Sequence, residues 1–202
     1  MILVQAIATG DAAAVRRILA ESPALASARA GNGASRHEAR DWYFDEIQHY
    51  LYAGDTALHI AAAAYRVDVV RKLIGAGADV RARNRRGAEP LHYAADGVPG
   101  SPAWNPSAQA ATVAGLIESG ADPDALDNSG VAPLHRAVRT RCAAAVRALL
   151  DGGADVRRKN KSGSSAIELA TRNTGRGGSG SPAAKAQQAE IIRLLKQPGV
   201  RL

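Results

Sequence analysis

Gly54-Asp55-Thr56-Ala57-Leu58-His59-Ile60-Ala61 and Gly87-Ala88-Glu89-Pro90-Leu91-His92-Tyr93-Ala94 are two versions of one phrase, set 33 residues apart. A fixed period of that length is the mark of stacked supersecondary units. The phrase returns from Gly130 to Ala137, with Ala132-Pro133-Leu134-His135, and 33 residues later from Gly163 to Ala170, with Glu168 in the histidine slot. A second phrase travels with it: Leu73-Ile74-Gly75-Ala76-Gly77-Ala78-Asp79, Leu116-Ile117-Glu118-Ser119-Gly120-Ala121-Asp122 and Leu149-Leu150-Asp151-Gly152-Gly153-Ala154-Asp155. In such an array function is sought on repeated surfaces, not in one central pocket.

Within a unit the apolar residues fall at helical spacing. Leu58, Ala61 and Ala62 give one helix its face, and Val69, Val70, Leu73 and Ile74 give a second helix another. Neither face can be buried within the unit, so neighbours must stack. Gly77, Gly120 and Gly153 follow the second helix, where a left-handed closing residue is cheapest without a Cβ.

On these residues the chain resembles the ankyrin-repeat family, whose unit is a β-turn finger, helix A, a tight turn and helix B. The resemblance covers nearly the whole chain and implies an all-α solenoid of about five stacked helix-turn-helix units with β-turn fingers. We read residues 1–202 as one domain with units at about 1–33, 54–86, 87–129, 130–162 and 163–202. The first unit lacks the Leu-His pair but keeps a helix B in Val15-Arg16-Arg17-Ile18-Leu19, as suits a terminal cap. In the family, the repeated histidine (here His59, His92 and His135) bonds the backbone of neighbouring turns. Fingers and the exposed side of helix A form the concave binding surface. The family's threonine before Leu-His survives at Thr56, whereas Glu89, Ala132 and Ser165 replace it. The turn between helices A and B usually holds Gly, but here Tyr65 and Arg141 stand there, at about 1 kcal/mol each if the left-handed conformation is kept.

Three insertions break the period, and long loops in a compact array are functional or without order. About twenty residues, 34–53, are spliced into a finger between Gly33 and Gly54, while about 98–107 and 173–186 extend helix A to helix B turns. The finger insertion holds Trp42, Tyr43, Phe44, Tyr50 and Tyr52, five of the eight aromatic residues of the chain. Trp and Tyr favour interface hot spots, so the segment can read as a recognition element; the reading the rings favour is a satellite core that plugs the insertion onto the first two units.

The net charge of +7 is uneven: residues 1–129 carry 12 Lys and Arg against 15 Asp and Glu, and residues 130–202 carry 14 against 4. Finger tips alternate in sign. Arg81, Arg83, Arg85 and Arg86 are followed by Asp122, Asp124 and Asp127, then by Arg157, Arg158, Lys159 and Lys161, with Arg136, Arg139 and Arg141 adding to the last patch from helix A. Charged tips keep a solenoid soluble, and four like charges on one tip also suit an acidic partner.

Candidate chemistry is thin. His37, Glu38, Asp41, Asp45, Glu46 and His49 bunch within thirteen residues but lack the spacing of a zinc or calcium site. Gly175-Arg176-Gly177-Gly178-Ser179-Gly180 fits G-x-G-x-x-G, yet it interrupts a helical hairpin and opens no βαβ unit; Ser181-Pro182 can start a helix there. Cys142 has no base at a defined spacing and cannot form an internal disulfide, which makes a reducing cytoplasm the default. Met1-Ile2-Leu3-Val4-Gln5 lacks a basic region and meets Asp11 too soon for a signal peptide, and no apolar run approaches a membrane span. The abundance of Ala, Arg and Gly is compatible with a GC-rich bacterial genome.

The expectation is a non-enzymatic, monomeric, cytoplasmic module that binds a protein partner, one of acidic character, without catalytic residues, metal or cofactor. The residues expected to touch that partner are Trp42, Tyr43, Tyr50, Arg83, Arg85, Arg86, Arg139, Arg158, Lys159 and Lys161. Polyanion or nucleic-acid binding by the basic C-terminal units is the alternative, weakened by the lack of interleaved aromatics there.

Overall fold

Helix A of the second unit begins where His59, three residues in, turns its ring back to the start of its own helix. Its Nδ1 accepts the Thr56 N–H at 3.1 Å, satisfying an amide that the helix itself leaves orphaned. The same bond is made by His92 to Glu89 N–H and by His135 to Ala132 N–H, both at 3.1 Å. Glu168 makes it with a carboxylate, accepting from Ser165 N–H at 2.7 Å and from the Ser165 hydroxyl at 3.1 Å. Loss of the family's threonine therefore leaves the backbone bond intact.

In the computed structural model, which describes residues 1–35, 37–172 and 182–197, these starts set a row of helical hairpins. The inner row is α1 (Ile2–Thr9), α3 (Ala57–Ala63), α5 (Pro90–Ala95), α7 (Pro133–Arg139) and α9 (Ala166–Thr171). Behind it stand α2 (Ala12–Glu21), α4 (Val67–Gly75), α6 (Pro106–Glu118), α8 (Ala143–Asp151) and α10 (Pro182–Leu195). Successive inner helices pack side by side, as do α4, α6, α8 and α10, and each inner helix packs on its own outer partner. The core runs between the rows through Leu58, Leu73, Leu91, Leu116 and Leu149, all fully buried. Fully burying a leucine stabilises by about 1.5–3 kcal/mol, so this row holds the stack together.

Finger tips share one local device that the sequence pattern alone did not reveal. Asn84 Oδ1 accepts Arg86 and Ala88 N–H at 2.8 and 3.0 Å, Asp127 Oδ1 accepts Ser129 and Val131 N–H at 2.8 and 3.0 Å, and Asn160 Oδ1 accepts Ser162 and Ser164 N–H at 3.0 Å. Three residues after each stands a left-handed glycine: Gly87, Gly130 or Gly163. The tips are then laced together by Arg85 N–H to Ala53 C=O at 2.8 Å and by Asn128 N–H to Arg86 C=O at 2.9 Å.

The finger insertion is ordered into two limbs. Ala30 and Ala34 donate backbone N–H groups to Asp55 and Leu51 C=O at 2.7 Å each. The limbs run so close that a Cβ on Gly33 would lie 2.5 Å from Ala53 N and Tyr52 C, which only glycine avoids. Between the limbs sits an antiparallel hairpin of β1 (Tyr43–Phe44) and β2 (His49–Tyr50).

The second insertion departs in part from the expected loop. Residues 106–107 already belong to α6, because Pro106 suits a first helical position and Asn105 Oδ1 caps Ala108 N–H at 3.0 Å, which adds a turn to that helix. In the third insertion α10 begins at Pro182, and the glycine-rich motif at 175–180 lies outside the described residues. Among the described residues no helix is long and apolar enough to cross a membrane.

Candidate functional site

A cleft of about 680 Å³ opens on the inner-helix side of the stack, between the hairpin of the first insertion and the loop of the second. Each wall is built in a way that fixes it. The hairpin is pinned by Phe44 and Leu51, buried in the main core, with Trp42, Ile47 and Tyr52 packed partly against it. Leu51 N–H also bonds Trp42 C=O at 2.9 Å. The insertion is thus anchored as a satellite of the core, and of its aromatics Tyr50 stays most open, at 36% exposure. Tyr43 and Tyr50 face each other across the strands with ring centres 4.7 Å apart, and the His49 ring lies 4.3 Å from Tyr93 on α5. The hairpin therefore lies over the inner helices.

Beneath it is a buried polar cluster. Asp55 accepts Tyr52 N–H at 2.6 Å, Asn84 Nδ2–H at 2.8 Å and the Tyr93 hydroxyl at 2.8–2.9 Å. Burial pushes its carboxyl up to about 6 despite those donors. His59 is pushed down to about 3 and His92 to about 4, and His49 and His135 are lowered, chiefly by burial. Because Nδ1 of His59, His92 and His135 accepts an amide proton, Nε2–H must donate. It does so to Ala88, Val131 and Arg158 C=O at 3.1, 3.0 and 2.9 Å, each in the following finger. These histidines are neutral tie-rods between units, as the family resemblance implied.

The opposite wall, residues 96–105, is fixed by Gln109, which is fully buried on α6. Its amide donates to Ala94 and Asp96 C=O at 3.0 Å and accepts the Trp104 Nε1–H at 2.9 Å. Tyr65 adopts the left-handed conformation at φ 53° and donates its hydroxyl to Asp96 C=O. That bond offers a reason for a bulky residue where the family has glycine. Gly97 is boxed in: a Cβ there would meet Cys142 Sγ and Tyr65 Oη at 2.8 Å and Trp104 Nε1 at 3.0 Å.

The floor is Arg136. Its guanidinium bonds Asp96 Oδ2 and Asp127 Oδ2, both at 2.9 Å, joining the second insertion, the third finger and α7. Burial alone would raise the Asp127 carboxyl, but the Arg136 bond with the Val131 and Ser129 N–H groups outweighs it and holds the group below its ordinary value. Arg136 therefore adds no free charge to the basic patch. Arg141 adds none at the surface either, being 4% exposed in a left-handed turn.

The structure sorts the expected partner-binding residues. Tyr50, Arg86 and Arg139 line the cleft, and Trp42 and Tyr43 are half-buried in the hairpin's footing. The four arginines of the second finger, expected as a like-charged tip suited to an acidic partner, are engaged within the stack. Arg81 pairs with Asp122 at 3.3 Å, Arg83 donates to Leu126 C=O at 2.7 Å, Arg85 donates to Ala34 C=O, and Arg86 lies over the Tyr52 ring at 4.8 Å. Arg158, Lys159 and Lys161 stand exposed on the last finger, outside the cleft lining, with no carboxylate at ion-pair distance among the described residues. Asp96, Trp104 and Gln109 escaped sequence reasoning; the only hint was an interrupted period around Pro102 and Trp104.

Comparison with protein families agrees with the geometry. A model described as ankyrin repeats in three copies matches residues 3–101, and one described as ankyrin repeats in many copies matches residues 116–170. The gap between them coincides with the end of the second insertion and the added turn of α6.

Proposed function

We infer what this chain does from one premise: it belongs to the ankyrin-repeat family, whose repeats are generally non-catalytic protein–protein interaction modules. The chain is a non-enzymatic module that holds an acidic protein partner against its inner helices, its fingers and the aromatic insertion. The observation that carries this reading is the cleft, walled by two anchored insertions and rimmed by Tyr50, Arg86 and Arg139, with Arg158, Lys159 and Lys161 exposed on the last finger. Electrostatic complementarity of this kind raises association rates and selects partners. A buried single cysteine, Cys142, suits a reducing cytoplasm.

The reading is tested by charge reversal at Arg139, Arg158 and Lys159, followed by affinity capture and mass spectrometry from the native cell. Capture of a specific acidic protein should be lost while the circular dichroism spectrum and melting temperature are kept. Undiminished capture by the variant would overturn the assignment.

The exposed run Arg157, Arg158, Lys159 and Lys161 favours one second reading, binding of a polyanion such as nucleic acid. A protein neutralising four phosphates would show log K falling with log salt at a slope of about −3 to −4. Absence of both salt-dependent retention on heparin and a gel shift with nucleic acid would rule that reading out.

A further inference from the structure

The inner surface of the stack is already partly filled by the chain itself. The hairpin lies against α5 through His49 and Tyr93, so an incoming segment is confined to the channel between Tyr50 and the loop of residues 96–105. The charges along that channel are not equivalent. Arg136 pairs with both Asp96 and Asp127, which leaves that trio one negative charge, while Arg66, Arg86 and Arg139 bring three positive charges to the same lining. Arg86, on the finger rim, lies over the Tyr52 ring and is an exposed residue. Arg139, the last residue of α7, is exposed at the far end of the same helix. Glu46, in the hairpin turn, is the one further carboxylate on the lining.

Arg86 on the finger rim and Arg139 at the end of α7 both line the cleft, so one extended segment lying in it can reach the two. We propose that the channel binds an extended acidic peptide segment, with one carboxylate on Arg86 and another on Arg139. The proposal rests on the interaction-module reading above and adds to it the chemistry of the bound segment. Stacked, planar guanidinium groups suit carboxylates because their donors form a fixed fork, and Tyr52 holds the Arg86 fork in place before the partner arrives. Anchored walls preserve the channel in the free protein, which lowers the ordering cost of binding.

The test uses the full chain and a fluorescein-labelled, end-blocked hexaglutamate peptide at 0.15 M salt, followed by fluorescence anisotropy. Substituting Arg86→Ser with Arg139→Ser is expected to weaken binding about tenfold. Removing the same number of charges outside the channel, Arg16→Ser with Arg17→Ser on the exposed face of α2, is expected to change it less than twofold. Equal losses in the two variants would mean that a diffuse field and not the channel attracts the peptide, and would overturn the proposal. So would tighter binding of hexathymidylate, which would move the ligand to nucleic acid. As an independent measure, amide chemical-shift changes on adding hexaglutamate should centre on Tyr50, Arg86 and Arg139; changes centred on residues 157–161 would sink the channel. That last result, with partner capture still dependent on Arg158 and Lys159, would leave the interaction-module reading standing while removing this one.

Discussion

Replacing Arg136 by methionine should cost the fold about 2–4 kcal/mol. The arginine side chain is 15% exposed and its partners Asp96 and Asp127 are 26% and 7% exposed. Removing one member of a buried pair typically costs about 3–5 kcal/mol because a charge is left behind without compensation. Here the figure falls toward the lower end, since Asp96 reaches water and Asp127 keeps the Ser129 and Val131 N–H bonds. For a chain of 202 residues each kcal/mol moves the melting temperature by about 2–4 °C, so a drop of about 4–16 °C is expected at pH 7. Thermal and urea unfolding followed by circular dichroism would measure it. The sharper check is rescue: adding Asp127→Asn to the Arg136→Met chain should restore at least half of the loss. Asparagine already makes the same turn at Asn84 and Asn160, so the second change removes the stranded charge and leaves the backbone bonds. A loss under about 1 kcal/mol, or no rescue by Asp127→Asn, would refute the view that Arg136 is a structural clamp and not a ligand group.

Gly97→Val should unseat the second insertion, because even a Cβ falls 2.8 Å from Cys142 Sγ and Tyr65 Oη; about 2 kcal/mol lost and a red shift of Trp104 emission are expected, and an unchanged spectrum would contradict the packing. Histidines held neutral by burial bind protons in the unfolded chain from about pH 6.5 but in the folded chain only near 4 for His92 and 3 for His59. Their contribution is complete above pH 6.5 and lost as pH falls through that window, at up to about 1.4 kcal/mol per pH unit per histidine, opposed by Asp55, whose raised carboxyl favours the fold as pH drops from about 6 toward 4, and by Glu89, whose carboxyl burial also raises. Urea titrations at pH 7.0, 5.5 and 4.5 should show falling stability, and a flat profile would count against buried neutral histidines. Arg85→Ala removes the donor to Ala34 C=O; a loss of about 1 kcal/mol with faster amide exchange at Leu51 is expected, and exchange identical to the parent would leave the finger lacing unsupported.

Legibility in the sequence followed the range of the interactions. The repeated Leu and His, the closing glycines and the positions of the insertions were readable because each is a local pattern repeated at a fixed interval. The structural role of the second-finger arginines was not, since Arg83 meets Leu126 and Arg85 meets Ala34, partners 43 and 51 residues away. Counting like charges on a tip suggested an open basic patch, whereas the stack supplies each with a carbonyl, a carboxylate or a ring. The cleft was hidden for the same reason: Asp96 and Arg136 are separated by 40 residues, and an inserted loop has no periodic template to place it. Tyr65 and Arg141 were legible as departures from glycine, yet only the Asp96 carbonyl explains the first.

The clamp at Arg136 also has a mechanical meaning. A solenoid deforms like a coil spring, each repeat sliding slightly on the next, and its reach toward a target depends on how freely the coils open. Here the hairpin bridges the second and third coils, and Arg136 rivets the third to the fourth. Tension applied along the superhelix would find a stiff middle and be taken up at the ends.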